Sequence, residues 1–118
     1  MEEKIRTWLD QIENDAIVPE NVIALNFGLY ETEHGYCIYL VGAHDYDENN
    51  DGWAEDAKNL NRAYFIEIET TCDWKEFQKQ VEHILSDEIK QRKRNPLSPF
   101  YRKVITIGFD DGSLTRIS

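Results

Sequence analysis

The stretch Asn21-Val22-Ile23-Ala24-Leu25-Asn26-Phe27-Gly28-Leu29-Tyr30, followed after Glu33-His34-Gly35 by Tyr36-Cys37-Ile38-Tyr39-Leu40-Val41, decides the fold. In its first part Ile23, Leu25, Phe27 and Leu29 alternate with Val22, Ala24, Asn26, Gly28 and Tyr30. Alternation places the two sets on opposite faces of a strand, so a half-buried strand is expected. The second part is an unbroken apolar run of strand length, rich in aromatic and β-branched residues. Such a run suits a strand covered on both faces, and the intervening turn residues join the two into a hairpin whose second strand is central.

Upstream of the hairpin, Ile5, Trp8, Leu9 and Ile12 recur at helical spacing among Glu2, Lys4, Arg6, Asp10 and Glu13, which predicts an amphipathic helix closing at Asn14-Asp15 before Pro19. Downstream, Tyr64, Ile66 and Ile68 alternate with Phe65, Glu67 and Glu69, giving a third strand with an acidic outer face. Asp73 followed by Glu76 opens a second, long helix in the manner of a capping box, with Trp74, Phe77, Val81, Ile84, Leu85 and Ile89 on one face. Lys90, Arg92, Lys93 and Arg94 end it, where cations complement the carbonyl end of the helix dipole. Asn95-Pro96-Leu97-Ser98-Pro99 breaks the helix, and strands over 103–109 and 113–117 follow, joined through Asp110-Asp111-Gly112. The order α-β-β-β-α-β-β predicts an α+β fold with a single antiparallel sheet of about five strands and both helices packed on it. Leu25, Phe27, Ile38, Leu40, Ile66, Phe77, Val81, Ile84, Ile105 and Ile107 are its expected core.

The 118 residues, 41% hydrophobic and 12% aromatic, suit a single α+β domain over 1–118 with one core. No run approaches the ~18 apolar residues of a membrane span, and Met1-Glu2-Glu3-Lys4 leads into a helix rather than a signal peptide, so a cytoplasmic protein without membrane contact is expected. Cys37 and Cys72 lie in or beside apolar segments and are expected to be reduced and structural. The formal net charge is -10, unevenly spread: residues 1–89 carry 21 acidic and 6 basic side chains, residues 90–118 carry 2 acidic and 7 basic. An acidic body repels phosphate backbones and steers basic proteins toward itself, which argues against nucleic acid and for a basic protein partner.

Residues 45–56, reading Asp-Tyr-Asp-Glu-Asn-Asn-Asp-Gly-Trp-Ala-Glu-Asp, set six carboxylates around two aromatic rings between strand-like segments. Asp47, Asn49, Asp51 and Gly52 have the spacing of the first half of an EF-hand loop, but Lys58 stands where the closing bidentate Glu belongs. Starting at Asp45 closes the loop with Asp56 yet places Asn50 at the glycine. No Ca²⁺, other metal or cofactor is therefore expected. A surface turn built on Asx side chains is one reading, and a recognition surface made of Asp45, Tyr46, Asp47, Glu48, Asp51, Trp53, Glu55 and Asp56 is the other, with Trp53 as its anchor. Catalysis has little support. His34, His44 and His83 lack metal-ligand spacing, Cys37 paired with His44 has nothing to lower its thiol pKa, and no phosphate-binding, zinc or dinucleotide motif is present.

Ala24-Leu25-Asn26-Phe27-Gly28-Leu29-Tyr30-Glu31, then Gly35-Tyr36-Cys37-Ile38-Tyr39-Leu40-Val41-Gly42, then Asp51-Gly52-Trp53-Ala54 resemble small bacterial immunity proteins of polymorphic-toxin and contact-dependent inhibition systems. The resemblance spans roughly residues 20–90 and is one of layout. In those relatives a Cys follows the Trp-Ala pair, whereas Glu55 follows here, so no role of that thiol carries over. The resemblance implies a non-enzymatic inhibitor that binds a cognate toxin, often a nuclease. Two readings in different classes result: a stoichiometric binder of a basic toxin, and a small metal-binding or enzymatic domain using the 45–56 carboxylates.

Overall fold

The computed structural model describes residues 1–118. Its elements are α1 (Glu2–Asp15), β1 (Ala24–Thr32), β2 (Gly35–Ala43), a 3₁₀ helix (Asp51–Asp56), β3 (Tyr64–Glu69), α2 (Trp74–Arg92), β4 (Val104–Phe109) and β5 (Thr115–Arg116). They build an α+β fold in which one sheet of order β3-β2-β1-β4-β5 carries the helices. No helix is long and apolar enough to cross a membrane.

The expected antiparallel sheet is corrected to a mixed one. β1 pairs antiparallel with β2, and β2 with β3, but β1 pairs in parallel with β4. Tight turns dictate direction only between sequence neighbours, and they do so for β1-β2. After β3 the chain travels through α2 and returns beside β1 at the other side, the kind of long crossover that parallel pairing requires. β1 therefore holds the middle of the sheet, with β2 next to it.

Odd-numbered β1 residues Leu25, Phe27 and Leu29 face the helices and are fully buried, as are their register partners Leu40, Ile38, Ile105 and Ile107. Ile5, Trp8, Leu9 and Ile12 from α1 and Phe77, Val81, Ile84, Leu85 and Ile89 from α2 close over them in one cluster. Phe100, from the segment between α2 and β4, fills the same core beside Phe27. Three expectations shift at the margins. Ile66 lies on the outermost strand and is only partly buried, and Trp74, one residue past the helix cap, is 52% exposed. Ile23 is exposed and Val22 buried because the Val22 amide bonds the Pro19 carbonyl in a turn, so strand alternation begins only at Ala24.

β1 is also not half-buried: Ala24 through Leu29 are buried on both faces. Asn26 and Thr106, neighbours across β1 and β4, face away from the helices and satisfy each other through a 2.9 Å Thr106 Oγ1 to Asn26 Oδ1 hydrogen bond. A second small cluster covers one end of that face, with consequences for the acidic loop.

Polar contacts tie the helices down. Asp73 Oδ1 accepts from the Glu76 amide and caps α2, while the Glu76 carboxylate takes Gln80 instead of completing a reciprocal box. From the basic cluster, Arg92 forks onto Asp10, Glu13 and Glu88, joining α1 to α2, and Lys93 donates to the Lys103 carbonyl. At the C-terminal end of α1, Asp15 Oδ2 accepts from Arg62 Nε (2.6 Å) and the Tyr64 hydroxyl (3.0 Å). The Arg62 hydrogen bond, then that of Tyr64, hold the Asp15 carboxyl below its ordinary pKa. A group depressed on folding adds stability above its unfolded pKa and loses it as pH falls through the folded value. Asp15→Asn should thus lower Tm at neutral pH, and the gap from wild type should close as the medium is acidified through the carboxylate range. A gap of constant size from neutral to acid pH would show that Asp15 is not ionically held.

Candidate functional site

The 45–56 loop is closed at its base by a two-bond antiparallel bridge between Gly42 and Lys58, both bonds 2.9 Å. Lys58, which breaks the EF-hand pattern by its side chain, thus serves through its backbone. Inside the loop, Asx side chains fold the chain on itself. Asp47 Oδ1 accepts from the Asn49 amide, and Asn50 Oδ1 caps the 3₁₀ helix by accepting from the Gly52 amide at 2.8 Å. The single tight turn that results aims Trp53 at the sheet.

Trp53 is 8% exposed. It packs on Ala24 and Ala43, whose small side chains leave room for an indole on that face, together with Ala54, Ala57, Val104 and Leu114. Tyr46 meets it edge-on, with ring centroids 5.3 Å apart. The ring expected to face a partner is therefore the loop's own anchor. Burying it here offsets the cost of exposing it, and it fixes the height of the acidic segment above the sheet.

The carboxylates point outward. Glu48 pairs with Arg116 at 3.0 Å, and Arg116 also lies over the Tyr46 ring, so the short β5 strand braces the loop. Asp51 accepts from the Leu114 amide at 3.0 Å. Asp45, Asp47, Glu55 and Asp56 are all exposed, and none forms an ion pair. All eight expected site residues thus share one anchored loop, six as acceptors on its surface and two as its footing.

The β4-β5 turn, which the sequence marks only as a connection through Asp110-Asp111-Gly112, belongs to the same surface. A cleft of about 440 Å³ runs between the 3₁₀ helix and the β4-β5 turn, lined among others by Asn26, Tyr39, Asp51, Glu55 and Asp110. Tyr39 lies across Gly28, where an added Cβ would come within 2.0 Å of its ring, and its hydroxyl donates to Asp110. Burial first, and then that carboxylate, push the Tyr39 phenol upward in pKa, which keeps it a neutral donor. Gly28 and Gly108 in register on adjacent strands were the available signal, since glycine inside a strand marks a close approach.

The chemistry offered is acceptance of cations and hydrogen-bond donors. Cys37 is buried, and burial raises its thiol pKa, opposite to what a nucleophile needs. His44 lies seven residues beyond Cys37 in the chain and bonds the Asn21 carbonyl; along an extended strand that separation is roughly 20 Å. Nucleophile and base are not brought together. No group of three or more His, Cys, Asp or Glu side chains is placed to hold a metal ion. A depression of about 950 Å³ sits at the β1-β2 turn among Glu31, Glu33 and Glu69, away from the loop. Comparisons with protein-family models, curated proteins and solved structures find no match to this chain.

Proposed function

We propose that the protein is a non-enzymatic binding protein, most concretely a cytoplasmic bacterial immunity protein that neutralises a basic toxin, of the nuclease kind that such proteins often bind, by stoichiometric binding. One observation carries the reading: Asp45, Asp47, Glu55 and Asp56 stand exposed and free of cations on a loop whose two aromatic rings are spent on holding it in place. Unpaired like charges repel one another and cost stability, so a rigid display of them is best explained by a partner that supplies the opposite charge. Such a surface raises encounter rates with a basic protein and rejects nucleic acid, whose active-site position on a nuclease it would occupy instead. The layout resemblance to immunity proteins points the same way, and a toxin gene beside this one would be the matching genomic context.

Affinity capture of the tagged protein from cells that express the neighbouring genes tests the proposal. The expected product is a one-to-one complex with a basic protein whose toxicity is suppressed by co-expression. A specific partner that is acidic, or a basic one whose activity continues in the complex, would contradict it.

A further inference from the structure

The acidic loop is not the only part of the surface prepared for a cation. At the other side of the β4-β5 turn lies a cleft of about 840 Å³, walled by Trp74 at the start of α2, Tyr30 at the end of β1 and Phe109 at the end of β4. Trp74 is 52% and Tyr30 43% exposed, although the core of α2 is already completed by Phe77. The Trp74 and Phe109 rings meet edge-on with centroids 5.9 Å apart, so the wall is a formed aromatic corner rather than a loose side chain. Glu31, Asp110 and Asp111 rim the cleft; all three are exposed, none forms an ion pair, and no Lys, Arg or His lines it. The ring already draws a cation from within the chain, Lys75 Nζ standing 5.5 Å from its centroid.

We propose that this cleft receives an arginine side chain presented by the basic protein partner, the guanidinium lying against Trp74 and bonding the rim carboxylates. Aromatic faces attract cations, a guanidinium stacks on them while its edge still donates, and its planar fork matches carboxylates where an ammonium would meet them as a point. Apolar walls with an anionic rim suit that group better than an acidic or purely apolar segment. The inference rests on the reading of the protein as a binder of a basic partner and adds to it a second contact, with Asp110 standing between this cleft and the one beside the acidic loop.

The three tryptophans make the test direct, because Trp8 and Trp53 are buried and Trp74 is not. A short arginine-glycine repeat peptide is titrated into the full chain at about 150 mM salt, with nitrogen-proton correlation spectra following the three indole signals and calorimetry giving the affinity. The expected result is a saturable shift of the Trp74 indole with Trp8 unmoved, and an affinity weakened about five- to tenfold by Trp74→Ala and again by Asp110→Asn with Asp111→Asn. Asp47→Asn should leave the Trp74 shift in place. If the peptide binds but only Trp53, beneath the acidic loop, responds, the cleft inference is overturned while the basic-partner reading stands. If no signal moves and no heat is released, both fail. A second copy of the chain seating its own Arg94 or Arg102 would appear as dimerisation weakened by Trp74→Ala, and would overturn the partner assignment.

Discussion

Phe77→Ala should lower the unfolding free energy by about 3 to 5 kcal/mol, the largest loss expected of any single truncation in α2. Phe77 is fully buried and stacks on Tyr36 with centroids 4.1 Å apart and planes 17° from parallel. Tyr36 in turn donates its hydroxyl to the Cys72 carbonyl at 2.8 Å, fixing the chain as it enters the helix. Removing the phenyl ring therefore opens a cavity and also loosens the hydrogen bond that sets the start of α2. Surrounding side chains come from strands and helix alike, so collapse into the gap is limited. Phe77→Leu, which keeps most of the volume, should cost about 1 kcal/mol. Denaturant melts read both, and an unchanged midpoint for the alanine variant would mean that α2 does not pack as described.

Trp53→Ala should cost about 3 kcal/mol and should do so locally. The cluster beneath Trp53 has three buried members, Ala24, Ala43 and Trp53 itself, so its loss frees the 45–56 loop while leaving the main core intact. Hydrogen exchange should then accelerate at Gly52 and Asn49, whose amides are held by Asn50 and Asp47, and remain slow across β1. Trp53→Phe should restore most of the protection. By contrast Trp74→Ala, at an exposed ring, should change stability by no more than about 0.5 kcal/mol. Equal effects of the two tryptophans would remove the distinction on which the site rests.

Most of the local architecture was legible in the chain. The alternation from Ala24 to Tyr30, the Asp73 cap and the helical faces of Trp8 and Phe77 each express a short-range rule, and each element forms where its pattern stands. What escaped was non-local. Nothing in residues 104–109 announces that they run beside β1 in the same direction, since that follows from the path of α2 through space. Ala24, Asn26 and Gly28 read as an outer face because they are small or polar. They are small because Trp53 and Tyr39 descend onto that side of the sheet, and Asn26 is polar because Thr106 answers it. The acidic loop drew notice by composition alone. Composition could not say that its tryptophan turns inward, which depends on the 3₁₀ turn capped by Asn50, nor that Arg116 and the Leu114 amide would reach it from the far end of the chain.

We propose that the cation-free carboxylates of this anchored loop recruit a basic partner. Association and dissociation rates of the captured partner, measured at two ionic strengths for wild type and for a variant carrying Asp45→Asn, Asp47→Asn, Glu55→Gln and Asp56→Asn, test it most directly. The variant leaves Trp53 and the Glu48-Arg116 pair untouched, so the loop keeps its footing. Exposed charges act on encounter more than on residence, so association should slow by about tenfold at low salt and lose most of its salt dependence, with dissociation little changed. Rates that match wild type at both ionic strengths would contradict the account and move the search to the acidic outer face of β3 at Glu67 and Glu69.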